Sequence, residues 1–190
     1  STVLAPPPPG SASPVAMIAR QAIVNAQQMV VGYELFNRSR TGADHTAATD
    51  VILVFTALSH AGTEELVGKK QIFVNCTHES LSGGHLELVD PDKVVLEIPP
   101  LGHTAAYDVP TRMPILAGLR ERGLHLAFNH TVLQSAYAPW LPLADYIKLD
   151  LSVLAPDQLA VLISYAGRHS QAELIAEKVE TAQQYDMVSS

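Results

Sequence analysis

Val94-Val95-Leu96-Glu97-Ile98 is an apolar run with one carboxylate beside its C-terminal end, and Pro99-Pro100 stop it abruptly. Working outward, the same design recurs five more times. Upstream lie Val30-Val31-Gly32-Tyr33-Glu34-Leu35 and Ile72-Phe73-Val74-Asn75. Downstream lie Leu126-Ala127-Phe128-Asn129-His130, Tyr146-Ile147-Lys148-Leu149-Asp150 and Leu174-Ile175-Ala176-Glu177. Burying an isolated charge is costly, so a polar group at the same place in strand after strand calls for a common cause. That cause is a parallel barrel or sheet whose strand ends converge on one polar pocket.

The segments between these strands carry helix signals. Val51, Leu53, Val54 and Leu58 within Ala47 to His60 have helical spacing, with Asp44 or Thr46 as N-cap candidates and Gly62 beyond the end. The wide apolar face of this segment reads as core packing, with a partner surface as the alternative. Val109 to Arg122 ends in basic residues followed by Gly123, both favourable at a helix C-terminus. Pro156 suits the first turn of a helix running to Gly167, and another helix is predicted from Thr181. Ahead of all this, Met17–Val24 and Met29–Phe36 flank Asn25-Ala26-Gln27-Gln28 as a hairpin. Strand–helix alternation with right-handed crossovers gives an α/β barrel or an open doubly wound sheet. Seven strands are counted, one short of an eight-stranded barrel.

The bulk numbers bound the function. A chain of 190 residues, 47% hydrophobic and 16% charged, has the composition of one globular domain. No apolar run approaches the length of a transmembrane helix. The net charge of −7 argues against a broad nucleic-acid footprint. The lone Cys76 has no disulfide partner and reads as a small buried core residue, which fits a cytoplasmic setting. Residues 1–14 are expected to form a disordered Pro-rich tail without signal-peptide character, and residues 15–190 the barrel domain.

The strand-end residues carry a family resemblance over roughly residues 16–187. Arg20-Gln21-Ala22-Ile23-Val24, Tyr33-Glu34-Leu35-Phe36-Asn37-Arg38, Val74-Asn75 and Leu96-Glu97-Ile98 resemble, in order, segments of the EAL family of cyclic di-GMP phosphodiesterase domains. Ile147-Lys148-Leu149-Asp150 and Ala176-Glu177-Lys178-Val179-Glu180-Thr181 continue the series. Glu64-Glu65-Leu66-Val67-Gly68 and the Glu177–Thr181 wording look most like the divergent branch found with HDOD domains, although no HDOD segment occurs here.

The resemblance implies a TIM-like (β/α) barrel of EAL type, incomplete for want of its eighth strand. It also implies two-metal phosphodiester hydrolysis, with Mg²⁺ or Mn²⁺ as the cofactor of an active member. By the same resemblance Glu34, Asn75 and Glu97 are metal ligands. Lys148 supports the site or moves a proton, and Glu177 is a base or second-site ligand. Glu180 steadies a loop, while Gln21 and Arg38 touch the nucleotide, Arg38 through charge-assisted bonds to phosphate.

The family pattern requires Asp-Asp-Phe where this chain has Asn129-His130-Thr131. Asn129 brings no charge, and His130 suits Zn²⁺ or Mn²⁺ better than Mg²⁺. The expectation is therefore a degenerate site, with Glu34, Asn75, Glu97, Lys148 and Glu177 vestigial and no cofactor. For Glu34, Glu97 and Lys148 the structural alternative is an ion-pair network inside the barrel mouth. Asp150 shares the Lys148 face of its strand and reads as a structural salt-bridge residue. The function expected is a catalytically inactive, cytoplasmic signalling module that binds a protein partner or a second copy, with cyclic di-GMP as candidate ligand. The competing expectations are an active metal-dependent phosphodiesterase and a dimerisation module with no ligand.

Overall fold

A computed structural model describes residues 18–37, 70–82, 84–88, 90–102 and 108–178. The 1–14 tail, Arg38, the helix predicted over 47–60, Glu180 and the helix from Thr181 lie outside the described residues. Seven strands form the framework: β1 (Ile18–Asn25), β2 (Val30–Asn37), β3 (Gln71–Asn75), β4 (Val94–Ile98), β5 (His125–Asn129), β6 (Tyr146–Asp150) and β7 (Glu173–Glu177). Two α-helices are described, α1 (Met113–Glu121) and α2 (Pro156–His169).

Strands β2 to β7 run parallel, each paired with the next in chain order. β1 is antiparallel to β2 and also antiparallel to β7 through Val24↔Ala176 and Asn25↔Ile175. Those two rungs close the barrel with seven strands. The incomplete barrel read from the sequence is thus correct in strand number. The seven strands close because the hairpin strand β1 turns its second edge to β7.

The period of two along each strand sorts the side chains into an inner and an outer set. Ile23, Phe73, Val95, Ala127 and Ile175 point inward and form a plug across the barrel, with Tyr146 below it. Tyr146 Oη donates to Gln71 Oε1 at 2.8 Å, closing the floor with a satisfied polar pair. The outer set, including Leu35, Val74, Leu96, Leu126 and Ile147, packs against Leu116 and Leu119 of α1 and Ala166 of α2. β4 is buried at all five positions, so its continuous Val-Val-Leu-Glu-Ile run reflects burial on both faces.

Both helices start and stop by ordinary local chemistry. Pro156 begins α2, and Gln158 Oε1 accepts the Ala155 N–H at 3.1 Å, satisfying one amide at that end. Past α1, Gly123 adopts φ 92°, and Leu124 N–H returns to Leu119 O at 3.2 Å. Pro110–Arg112 precede α1 as a 3₁₀ turn, so the predicted 109–122 helix divides in two. After β5 the chain forms a series of 3₁₀ turns at His130–Leu133, Ser135–Tyr137 and Leu141–Leu143.

Gly32 is the glycine that the barrel interior demands. A Cβ there would lie 2.5 Å from Gln71 O and 2.7 Å from the Phe73 ring. Gly32→Ala is therefore expected to lower unfolding free energy by about 1–3 kcal/mol through overpacking of the plug, measured by urea denaturation. An unchanged midpoint would show that the Phe73 ring is not wedged against β2.

Candidate functional site

Two residues beyond each plug residue, the inner face turns polar. Phe73 is followed by Asn75, Val95 by Glu97, Ala127 by Asn129, Tyr146 by Lys148 and Ile175 by Glu177. Gly32 is likewise followed by Glu34, and antiparallel β1 brings Gln21 opposite Glu34. Because β2 to β7 are parallel, these groups gather at one rim. The register pairs Asn75 with Glu97 and Asn129 with Lys148.

Lys148 is the centre of this layer. Its Nζ lies 2.8 Å from Glu34 Oε2 and 3.3 Å from Glu177 Oε1, and it donates to Glu97 Oε1 as well. Asn75 Nδ2 donates to Glu34 Oε1. All four ionisable groups are largely buried, so these interactions act in a weakly screened medium.

Three carboxylates facing one ammonium cannot all behave as free acids. Burial raises Glu177, and its hydrogen bond with Glu34 and the Glu34 charge add to the rise, to about 8. Burial and the Glu34 charge push Glu97 up to about 7. Burial would also raise Glu34, but hydrogen bonds with Glu177, Lys148 and Asn75 together with the Lys148 charge hold it below the ordinary value. Glu34 is therefore the most acidic of the three, and Glu177 the one that holds a proton most tightly. Burial works against the Lys148 charge, yet the three glutamates raise its pKa above that of an ordinary lysine.

The mouth above this layer is a pocket of about 260 Å³ whose walls include Ile98, Pro99, Pro100, Phe128, Asn129, His130, Asp150 and Val153. The Pro99–Pro100 wall is anchored from the β5 side. Tyr137 Oη accepts from Leu101 N at 2.8 Å and donates to Leu101 O, while Trp140 Nε1 donates to Val109 O at 2.7 Å. His78 Nε2 donates to Pro99 O at 2.9 Å.

Several sequence-predicted site residues meet here, and several do not. Glu34, Asn75, Glu97, Lys148 and Glu177 share one polar layer, with Asn129, His130 and Asp150 along the pocket wall. Gln21 is half-buried on β1. Arg38 and Glu180 lie outside the described residues. Asp150 forms a salt bridge, as expected, but its partner is Lys178 at 2.9 Å. Lys178 was given no role in the sequence reading. Its signal was the register: Asp150 pairs with Glu177, which places the next residue of the chain beside the carboxylate.

Known proteins supply the comparison. No family model matches the chain. Its sequence is similar to the cyclic di-GMP phosphodiesterase CdgJ of Vibrio cholerae, 28% identical over 176 residues that cover 88% of this chain and 39% of that protein. The chain spans about two fifths of the length of the curated relatives it matches. Its structure is similar to Klebsiella pneumoniae BlrP1, solved with manganese and cyclic di-GMP, at TM-score 0.63 and 20% identity, covering 90% of this chain and 51% of that one. An EAL domain protein from Listeria monocytogenes matches at TM-score 0.60 and 14% identity, over 90% of this chain and 81% of that one. The fold is that of the EAL domain.

Within this EAL-type barrel the described polar groups of the mouth bond chiefly to one another. Among the described residues, no three His, Cys, Asp or Glu side chains are grouped as metal ligands. The carboxylates of Glu34, Glu97 and Glu177 converge on Lys148 instead. Asn129 Oδ1 accepts the Thr131 N–H at 2.9 Å, capping the following turn. Glu97 Oε2 is a buried oxygen without a protein partner.

Two measurements check the electrostatics. Lys148→Met leaves the carboxylates without their cation, and a loss of about 3–5 kcal/mol is expected in urea denaturation at pH 7. Glu97 and Glu177 bind protons more tightly folded than unfolded, from 4.5 up to about 7 and about 8. Their contribution is full below 4.5 and is lost as pH rises through those folded values. Glu177→Gln is expected to flatten the upper part of that decline in stability–pH curves, and an unaltered slope would contradict the assignment.

Proposed function

We propose that this chain is an EAL-type domain that does not hydrolyse cyclic di-GMP and serves as a regulatory module, with cyclic di-GMP as its ligand. One observation carries this reading: the carboxylates of Glu34, Glu97 and Glu177 at the barrel mouth converge on Lys148, which stands among them where a metal cation would. Hydrolysis needs a group that takes a proton from water. Glu177 is turned toward Lys148 at 3.3 Å, and Glu34 has each oxygen engaged by Asn75 or Lys148. At the end of β5, Asn129 and His130 add no carboxylate that would hold a second cation. Without two metals, the charge of a phosphodiester transition state has no counterpart in the described pocket.

A pocket of this kind retains recognition without turnover. Its apolar wall of Ile98, Pro99, Phe128 and Val153 offers a surface for a nucleobase, and its polar floor offers amide and carboxyl groups. The similarity to BlrP1, solved with cyclic di-GMP, supports the ligand class. A binding event at this mouth would be read by whatever the domain contacts, which is a regulatory rather than a catalytic output. The second reading, an active metal-dependent phosphodiesterase, is favoured by the sequence similarity to CdgJ.

Incubating the protein with cyclic di-GMP and Mn²⁺ or Mg²⁺ separates the two. The expected outcome is calorimetric binding with no linear dinucleotide formed; turnover above a metal-free control sinks the non-hydrolytic reading. Asn129→Asp with His130→Asp is expected to tighten Mn²⁺ binding by at least about tenfold. The fold should survive, because aspartate caps the Thr131 turn as well as asparagine does.

A further inference from the structure

Beyond the polar layer, one cation at the rim stands out by its backbone. Lys178, the first residue after β7, has φ 61°. The left-handed region brings Cβ close to the following carbonyl and is unfavourable for any residue but glycine. Among the described residues the other such non-glycine is Gln28, in the tight turn between β1 and β2. Strain at a residue that is not needed for a hairpin turn is the kind found where a side chain must be aimed.

The aim is visible. Lys178 Nζ reaches back over the end of β6 to Asp150 Oδ2 at 2.9 Å. The other oxygen, Asp150 Oδ1, is held independently by Ser152 N at 2.9 Å and Ser152 Oγ at 2.6 Å. Asp150 lines the pocket and Lys178 stands beside it, with 44% of its side chain exposed against 12% for Lys148. The two lysines near the mouth are therefore in opposite conditions. Lys148 is locked by three buried carboxylates. Lys178 has a single partner at the surface, where solvent screens the pair and exchange of partner is inexpensive. Asp150 keeps its Ser152 bonds when that exchange occurs.

We propose that Lys178 is the phosphate-contact residue of this pocket, held in place by Asp150 until a phosphodiester oxygen displaces the carboxylate. This rests on the reading of cyclic di-GMP as the ligand and adds the residue that meets its charge. Among the described residues the deep layer is dominated by carboxyl groups and Lys148 there is saturated, so a cation at the rim is the group placed to meet an anion. A charge-assisted hydrogen bond from Lys178 would offset the repulsion that an anion meets at this mouth.

The test sets stability against binding. Lys178→Gly removes the ammonium and relieves the left-handed backbone, so the melting temperature is expected to hold or rise while cyclic di-GMP affinity falls at least about tenfold in calorimetry. Asp150→Asn removes the competing carboxylate and is expected to tighten binding. A merely structural ion pair gives the reverse pattern: lower stability in both variants with affinity unchanged, which overturns the assignment. The Lys178 Nζ resonance, titrated with inorganic pyrophosphate, keeps the two readings apart. Movement of that resonance in a protein that does not bind cyclic di-GMP supports Lys178 as an anion contact and sinks the dinucleotide. No movement, together with no dinucleotide binding, overturns both.

Discussion

The contact of Lys148 with Glu34, Glu97 and Glu177 is the constraint on which the mouth of this barrel depends. Each of the four side chains comes from a different strand, so the ammonium ties β2, β4, β6 and β7 together at one level. Removing Lys148 leaves buried carboxylates without their cation, which costs more than the intact cluster contributes. The arrangement therefore acts chiefly as a specification. It sets which strand ends face one another and how far the polar layer extends before the apolar plug begins.

That plug explains why the charges sit where they do. Phe73, Val95, Ala127 and Ile175 fill the barrel, and Gly32 is small because the Phe73 ring lies against its strand. Water cannot pass below this layer, so the groups above it are buried on one side and face the pocket on the other. The pKa shifts follow from that half-buried position and from mutual repulsion.

Much of the framework was legible in the chain itself. The end of β7 at Glu177 and the start of α2 at Pro156 match their sequence reading, because turn residues and proline act locally. The polar strand ends announced a common pocket, since buried polar groups at one register need one explanation. Less legible were the details set by side-chain competition. Lys148 and Asp150 share a face of β6, yet Lys148 turns to three glutamates and Asp150 to Lys178. Which acid a lysine selects depends on distances across the barrel, and no spacing along one strand encodes them.

By itself the sequence determined the order of the described strands and helices, the inner and outer faces, and the Asn129-His130 pair at the end of β5. These follow from period, composition and local turn chemistry. Only the tertiary structure decided that seven strands close on themselves, through the second edge of β1 meeting β7. Only the fold, too, decided which glutamate keeps its charge and which holds a proton. Closure and proton sharing are both contacts between residues far apart in the chain, and such contacts exist only once the barrel has formed.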